Sequence, residues 1–252
     1  MSENVLINTG KVGPNRFIAV GSKLIAREIR DSWRPLAWAA LLIWFAACSR
    51  PVQAQTIENN GHDVPETSWK PAGSDTNFQL LQHFRTSDNS HRGTHCEMIQ
   101  VAANNGSFIY FAYPTRQARI IDELAPTLFV RSDKAGIQLM ARVVLPRSID
   151  PRTGRPITTL LRGASYDRTG VWQQLRLDNL PQLLHQQARA LRQQNGPNVD
   201  PREAYLDALV VNVYGGPGTT TVLIDDLEII GILAAESERT DVRIAKTTSS
   251  PK

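Results

Sequence analysis

The chain has 252 residues, 41% of them apolar, which is enough to build a packed core and excludes an intrinsically disordered protein. Its formal net charge of +4 raises the question of nucleic acid. Within residues 1–54, however, Lys11, Arg16, Lys23, Arg27, Arg30, Arg34 and Arg50 outnumber Glu3, Glu28 and Asp31 by that same excess, so the remainder is neutral and offers no footprint for a phosphate backbone.

From Pro35 to Ser49 the chain reads PLAWAALLIWFAACS, uncharged and bracketed by Arg34 and Arg50. As a helix rising about 1.5 Å per residue it covers roughly 22 Å, against a hydrocarbon core of about 30 Å. The segment therefore suits the apolar region of an export signal better than a stable span, and the basic stretch before it is the expected flank. Val52-Gln53-Ala54 supplies small residues for cleavage before Gln55. Phe45-Ala46-Ala47-Cys48 resembles a bacterial lipobox, with Phe45 where Leu is favoured; acylation of Cys48, like retention of the uncleaved segment, would hold the protein at a membrane. Each outcome exports residues 55 onward to the periplasm, the cell surface or the medium. Residues 1–54 are thus expected to be a signal peptide or membrane anchor. Residues 55–76, polar and broken by Pro and Gly, are expected to be a linker.

From Phe78 the pattern changes to short runs rich in Val, Ile, Phe, Tyr and Leu between turn signals. Strands are predicted over 78–85, 94–102, 107–113, 125–132, 137–145, 157–163, 171–177, 206–214 and 220–230, an all-β class of about nine strands in a sandwich or barrel. Ile137, Leu139, Ala141, Val143 and Leu145 share one face of their strand and Gln138 and Arg142 the other, the signature of a half-buried strand. Asn104-Asn105-Gly106 tolerates positive φ and predicts a hairpin turn. Cys96, in the alternating run THCEMIQVA, reads as a small buried hydrophobe.

One segment breaks the rhythm. Leu180, Leu183, Leu184, Ala188 and Leu191 follow helical spacing, Pro181 sits in the first turn and Gly196-Pro197 closes it, which predicts a helix over 180–194. Beyond Leu233 the chain is polar, and residues 235–252 are expected to be a disordered tail.

The series ELAPTLFVRSDKAGIQLMARVVL, GVWQQLRL and TTTVLIDDLEIIG resembles, in this order, the galactose-binding-like jelly rolls, a superfamily containing many carbohydrate-binding modules. The resemblance runs from Phe78 to Gly231, and the helix at 180–194 is an insertion that the common pattern lacks. It implies a jelly-roll β-sandwich over 77–234 that acts as an accessory binding domain of the kind often attached to a secreted hydrolase. It also implies a structural Ca²⁺ held by an Asp of the closing strand. Asp225 fits that place: strand alternation sets it with Leu223, Leu227 and Ile229 on the apolar face, where a carboxylate needs a cation, an Arg or backbone N–H groups.

Three aromatics are candidates for ligand contact. Trp172 alternates with Gln174 and Arg176 on the polar side of its strand, where its flat face could stack on a sugar or be covered by the helix. Tyr113 lies near the end of its strand, and Tyr166 in the loop between Gly163 and Gly170. His91, His95 and Cys96 form too thin a set for zinc, because adjacent strand residues point to opposite faces. No Ser stands in a nucleophile elbow and no carboxylate pair is set as acid and base, so no enzyme is expected. The favoured function is an exported non-catalytic binding module for carbohydrate. The alternative is a structural or protein-interaction domain of the cell envelope.

Overall fold

The computed structural model describes residues 56–60 and 65–234. The export segment and the tail expected at 235–252 lie outside the described residues. In chain order the elements are β1 (Thr56–Asn60), β2 (Lys70–Ser74), β3 (Gln79–Thr86), β4 (Cys96–Ala103), β5 (Ile109–Arg119), β6 (Ala125–Ser132), β7 (Gln138–Ile149), β8 (Pro156–Ser165), β9 (Gln173–Arg176), α1 (Leu180–Asn195), β10 (Tyr205–Asn212) and β11 (Gly218–Gly231).

The strands pair antiparallel in two sheets. A six-stranded sheet runs β3-β4-β11-β6-β9 with β1 also on β11, and a five-stranded sheet runs β2-β5-β10-β7-β8. From β4 onward the chain crosses between the sheets at every connection except β7 to β8, so that β4-β11-β6-β9 opposes β5-β10-β7-β8. That order is a jelly roll. Inward side chains alternate along each strand, with Ile99 and Val101 on β4, Leu128 and Val130 on β6, and Leu209 and Val211 on β10 all in one buried cluster. Each such side chain contributes about 1.5–3 kcal/mol on burial.

All nine strands predicted from Phe78 onward are present, and the helix extends one residue beyond its predicted end. α1 buries Leu180, Leu184, Ala188 and Leu191 and packs beside β8, and the Gly196 N–H donates back to the Arg192 carbonyl at 3.0 Å. Two further strands come from the stretch expected to be a linker. TIENN and KPAGS carry no apolar alternation, so β1 and β2 gain their order from the backbone pairing of β11 and β5. Between them Trp69 is fully buried against Tyr113, with ring centroids 5.6 Å apart.

The Asn104-Asn105-Gly106 turn does not close a hairpin, because β4 and β5 belong to different sheets. Gly106 has φ 117°, and a Cβ there would lie 2.8 Å from Thr76. The turn is an arch pressed against the β2–β3 connection, where the Asp75 carboxylate accepts from the Ser107 N–H at 2.9 Å and the Phe108 N–H at 3.1 Å.

Candidate functional site

Two of the three aromatics expected at a ligand surface face the interior. Tyr166 is 1% exposed, and its hydroxyl donates among the carbonyls of Ser132, Arg168 and Val171, which locks the β8–β9 loop. Tyr113 is buried on the core side of β5, with Glu58 Oε1 3.3 Å from its hydroxyl. Burial of the Tyr113 ring follows from the period-2 rule applied to the observed register, which puts it opposite the core residue Leu209.

Trp172 does sit on the outer side of the six-stranded sheet, half-buried. Its cover is the β3–β4 loop and not α1. Trp172 Nε1 donates to the Asn89 carbonyl at 3.2 Å, and the His91 ring lies 5.6 Å from Trp172 and stacks on Phe129 at 3.8 Å.

The same loop is held by Asp225, which is fully buried. Asp225 Oδ2 accepts from the backbone N–H of His91 at 2.7 Å and of Arg92 at 3.2 Å, while Oδ1 accepts from Asp226 N–H at 2.8 Å. Burial holds its carboxyl above the usual range even though those donors pull it down. Asp226, at φ 46° in a β-bulge, meets His91 Nδ1 at 2.6 Å. The bulge also changes the phase of β11: Val222 and Ile224 face the core before it and Leu227 and Ile229 after it, so Asp225 shares the outer face with Leu223 and not, as simple alternation predicts, the core face of Leu227 and Ile229. The donors around Asp225 do not fit a Ca²⁺ ion, which needs oxygen ligands where N–H groups point. Among the described residues no group of three or more His, Cys, Asp or Glu is placed to hold a metal.

Cys96 is fully buried next to this loop, and burial, followed by the nearby Asp225 charge, pushes its thiol up to about 11. Glu97, also buried, faces inward beside Ile99. It accepts from the Ser68 and Trp69 N–H groups at 2.9 and 3.0 Å and pairs with His83 at 2.7 Å and Arg85 at 3.0 Å. This cluster fastens the start of β2 to β4.

The arrangement with the chemistry of a binding surface is the outer face of the five-stranded sheet. Ala112, Val210 and Met140 stand side by side on β5, β10 and β7 and form an apolar cluster separate from the core, packed by Ala72, Tyr110 and Leu160. One row along, Ala208 is opposite Arg142, and a bulge in β10 turns Asp207 toward the same guanidinium. Arg142 Nε donates to Asp207 Oδ1 at 2.8 Å and a terminal nitrogen to Oδ2 at 2.5 Å, with the side chains 8% and 5% exposed. Tyr205 follows in the next row, and an open depression of about 270 Å³ lined by Gln117, Arg119, Glu203, Tyr205 and Leu233 begins there. At the other end Tyr110 stacks on Phe108 at 4.3 Å, and burial raises its hydroxyl, with the Arg162 charge pulling it back.

Sequence reasoning placed Arg142 on the polar side of its strand and passed over Asp207. The available signal was one charged residue inside each of two apolar runs, MARVVL and YLDALVV. Only the register shows that they meet.

No family model matches the chain, and no curated protein matches it. Solved structures do. One, from a study of the promiscuous specificity of carbohydrate-binding modules of the β-sandwich superfamily, is 13% identical over 70% of this chain, which spans 56% of that chain, with a TM-score of 0.34. The family 11 carbohydrate-binding module of the cellulosomal cellulase Lic26A-Cel5E of Clostridium thermocellum is 12% identical over 73% of this chain and 98% of its own, with a TM-score of 0.42. A family 30 carbohydrate-binding module is 12% identical over 72% and 90%, also with a TM-score of 0.42. The chain is similar to these β-sandwich modules, and its jelly-roll class rests on its own strand order.

Proposed function

We propose that the chain is an exported, non-catalytic binding module for carbohydrate and that the glycan lies on the outer face of the five-stranded sheet. The observation that carries this reading is the Arg142–Asp207 pair, buried on the side of the sheet that faces away from the core. Such a pair is expensive to desolvate and a poor source of stability. It does fix a charged, hydrogen-bonding group in place beside Tyr205 on that face. Tyr205 beside it, half-buried, offers an apolar surface for the C–H face of a sugar ring.

A glycan array followed by titration calorimetry on the full chain tests the reading. Tyr205→Ala should weaken the best ligand about tenfold, as loss of one stacked ring implies. Chelation of divalent ions should leave the affinity unchanged, in keeping with the donor set around Asp225. If the wild-type chain binds nothing on the array, the reading fails.

A specific observation favours the second reading, a protein-interaction domain. Edge strand β3 exposes Leu80, Leu81 and Phe84 at 40%, 41% and 43%. A stoichiometric partner that is lost in Leu81→Asp, with glycan binding absent throughout, would establish it. Export rests on residues 35–54. Sequencing the mature N-terminus should give Gln55 after cleavage or an acylated Cys48, and an intact Met1 in the cytosol would overturn it.

A further inference from the structure

We infer that the glycan taken by this face is acidic, a polysaccharide carrying carboxylate or sulfate groups. The inference rests on the glycan reading above. It comes from how charge is distributed across the face.

The register aligns Lys70, Ala112, Val210, Met140 and Arg162 in one row across β2, β5, β10, β7 and β8. A cation therefore stands at each end of an apolar floor, about 19 Å apart at four strand spacings. Their long stems can lie over the floor while the charged heads stay in water. Two rows further on, Arg119 is opposite Tyr205. Asp207 is the acidic residue in these rows, and it is occupied by Arg142.

Lys70, Arg119 and Arg162 are exposed and have no ion-pair partner among the described residues. Cations just beyond this face are treated differently: Arg147 and Arg202 are matched by Asp200 and Glu203. Since residues 55 onward are neutral as a whole, the excess belongs to this face and not to the domain. A neutral sugar chain would draw only hydrogen bonds, and no ion pair, from these three side chains. A chain with an anionic group on successive units would meet one at each end and one beside the tyrosine.

The test compares matched polymers on the full chain: polygalacturonate against its fully methyl-esterified form, and dextran sulfate against dextran, with inorganic polyphosphate as a sugar-free polyanion. The acidic member of at least one pair should bind about tenfold more tightly, and that advantage should shrink as ionic strength rises from about 0.01 to 0.15 M and the screening length falls from about 30 to 8 Å. Lys70→Gln and Arg162→Gln should each weaken the acidic polymer about threefold and leave neutral glycans unaffected. Equal binding of the neutral partners, or polyphosphate binding as tightly as the acidic glycans, overturns the inference. Neutral glycans binding while acidic ones do not overturns it and leaves the glycan reading standing. Absence of binding to every glycan overturns both.

Discussion

On the outer side of the six-stranded sheet a buried carboxylate organises backbone: Asp225 accepts the N–H groups of His91, Arg92 and Asp226, and the loop so held covers Phe129 and meets Trp172. On the outer side of the five-stranded sheet the buried carboxylate of Asp207 meets the guanidinium of Arg142 instead, and Tyr205 stands in the next row. The first arrangement closes a surface with the chain's own atoms. The second fixes a polar group in place beside an aromatic ring without fastening a loop, which is the difference expected between a preorganised binding surface and a structural clamp if the proposed function holds. An aromatic on the outside of a sheet is thus no guide to ligand by itself.

The comparison can be broken most forcefully at Arg142. Arg142→Ala leaves Asp207 buried without its partner and should cost about 3–5 kcal/mol in denaturant unfolding, whereas the double variant Arg142→Met with Asp207→Leu should stay within about 1 kcal/mol of wild type. That double variant should nevertheless lose glycan binding. If it binds normally, the pair is only structural and the two faces do not differ in kind.

Asp225→Ala should cost about 2–3 kcal/mol by stranding buried N–H donors, and should raise hydrogen exchange at His91 and Arg92 while glycan affinity stays within about twofold. Because burial holds the folded Asp225 carboxyl above 3.8, the folded chain binds its proton more tightly than the unfolded one. Its contribution to stability is complete below 3.8 and is lost as pH rises through the higher folded value. Asp225→Asn should flatten that part of the pH–stability profile, and an unchanged profile would count against the assignment. The smallest effect is expected from Trp172→Phe, about 1 kcal/mol for the lost bond to Asn89, again with no change in glycan binding. A large loss of binding would restore Trp172 as a ligand contact.

The strands from β3 onward and α1 were legible because their alternation or helical spacing is strong. The arch at Gly106 was not, since an Asn-Asn-Gly turn looks the same whether it joins neighbours in a sheet or strands across a sandwich. β1 and β2 left no trace because backbone pairing imposes no side-chain pattern on an edge. At the site, Asp225 stood out because simple alternation set it on the apolar face; the bulge in β11 puts it on the outer face instead, and its partners came from a loop far away in sequence. Tyr113 and Tyr166 were misplaced for a common reason: a tyrosine can bury its ring and still satisfy its hydroxyl, so its polar end says little about exposure. Arg142 and Asp207, on strands that meet only in the folded sheet, needed the register.

Cys96, buried with its thiol held near 11, has a practical consequence. Thiol-directed reagents act on thiolate, which is scarce here at neutral pH, and the described domain has no crosslink that a reductant could open. In a Cys48→Ser background, Arg162→Cys would therefore be the position a maleimide dye finds, which makes the outer face of the five-stranded sheet optically addressable.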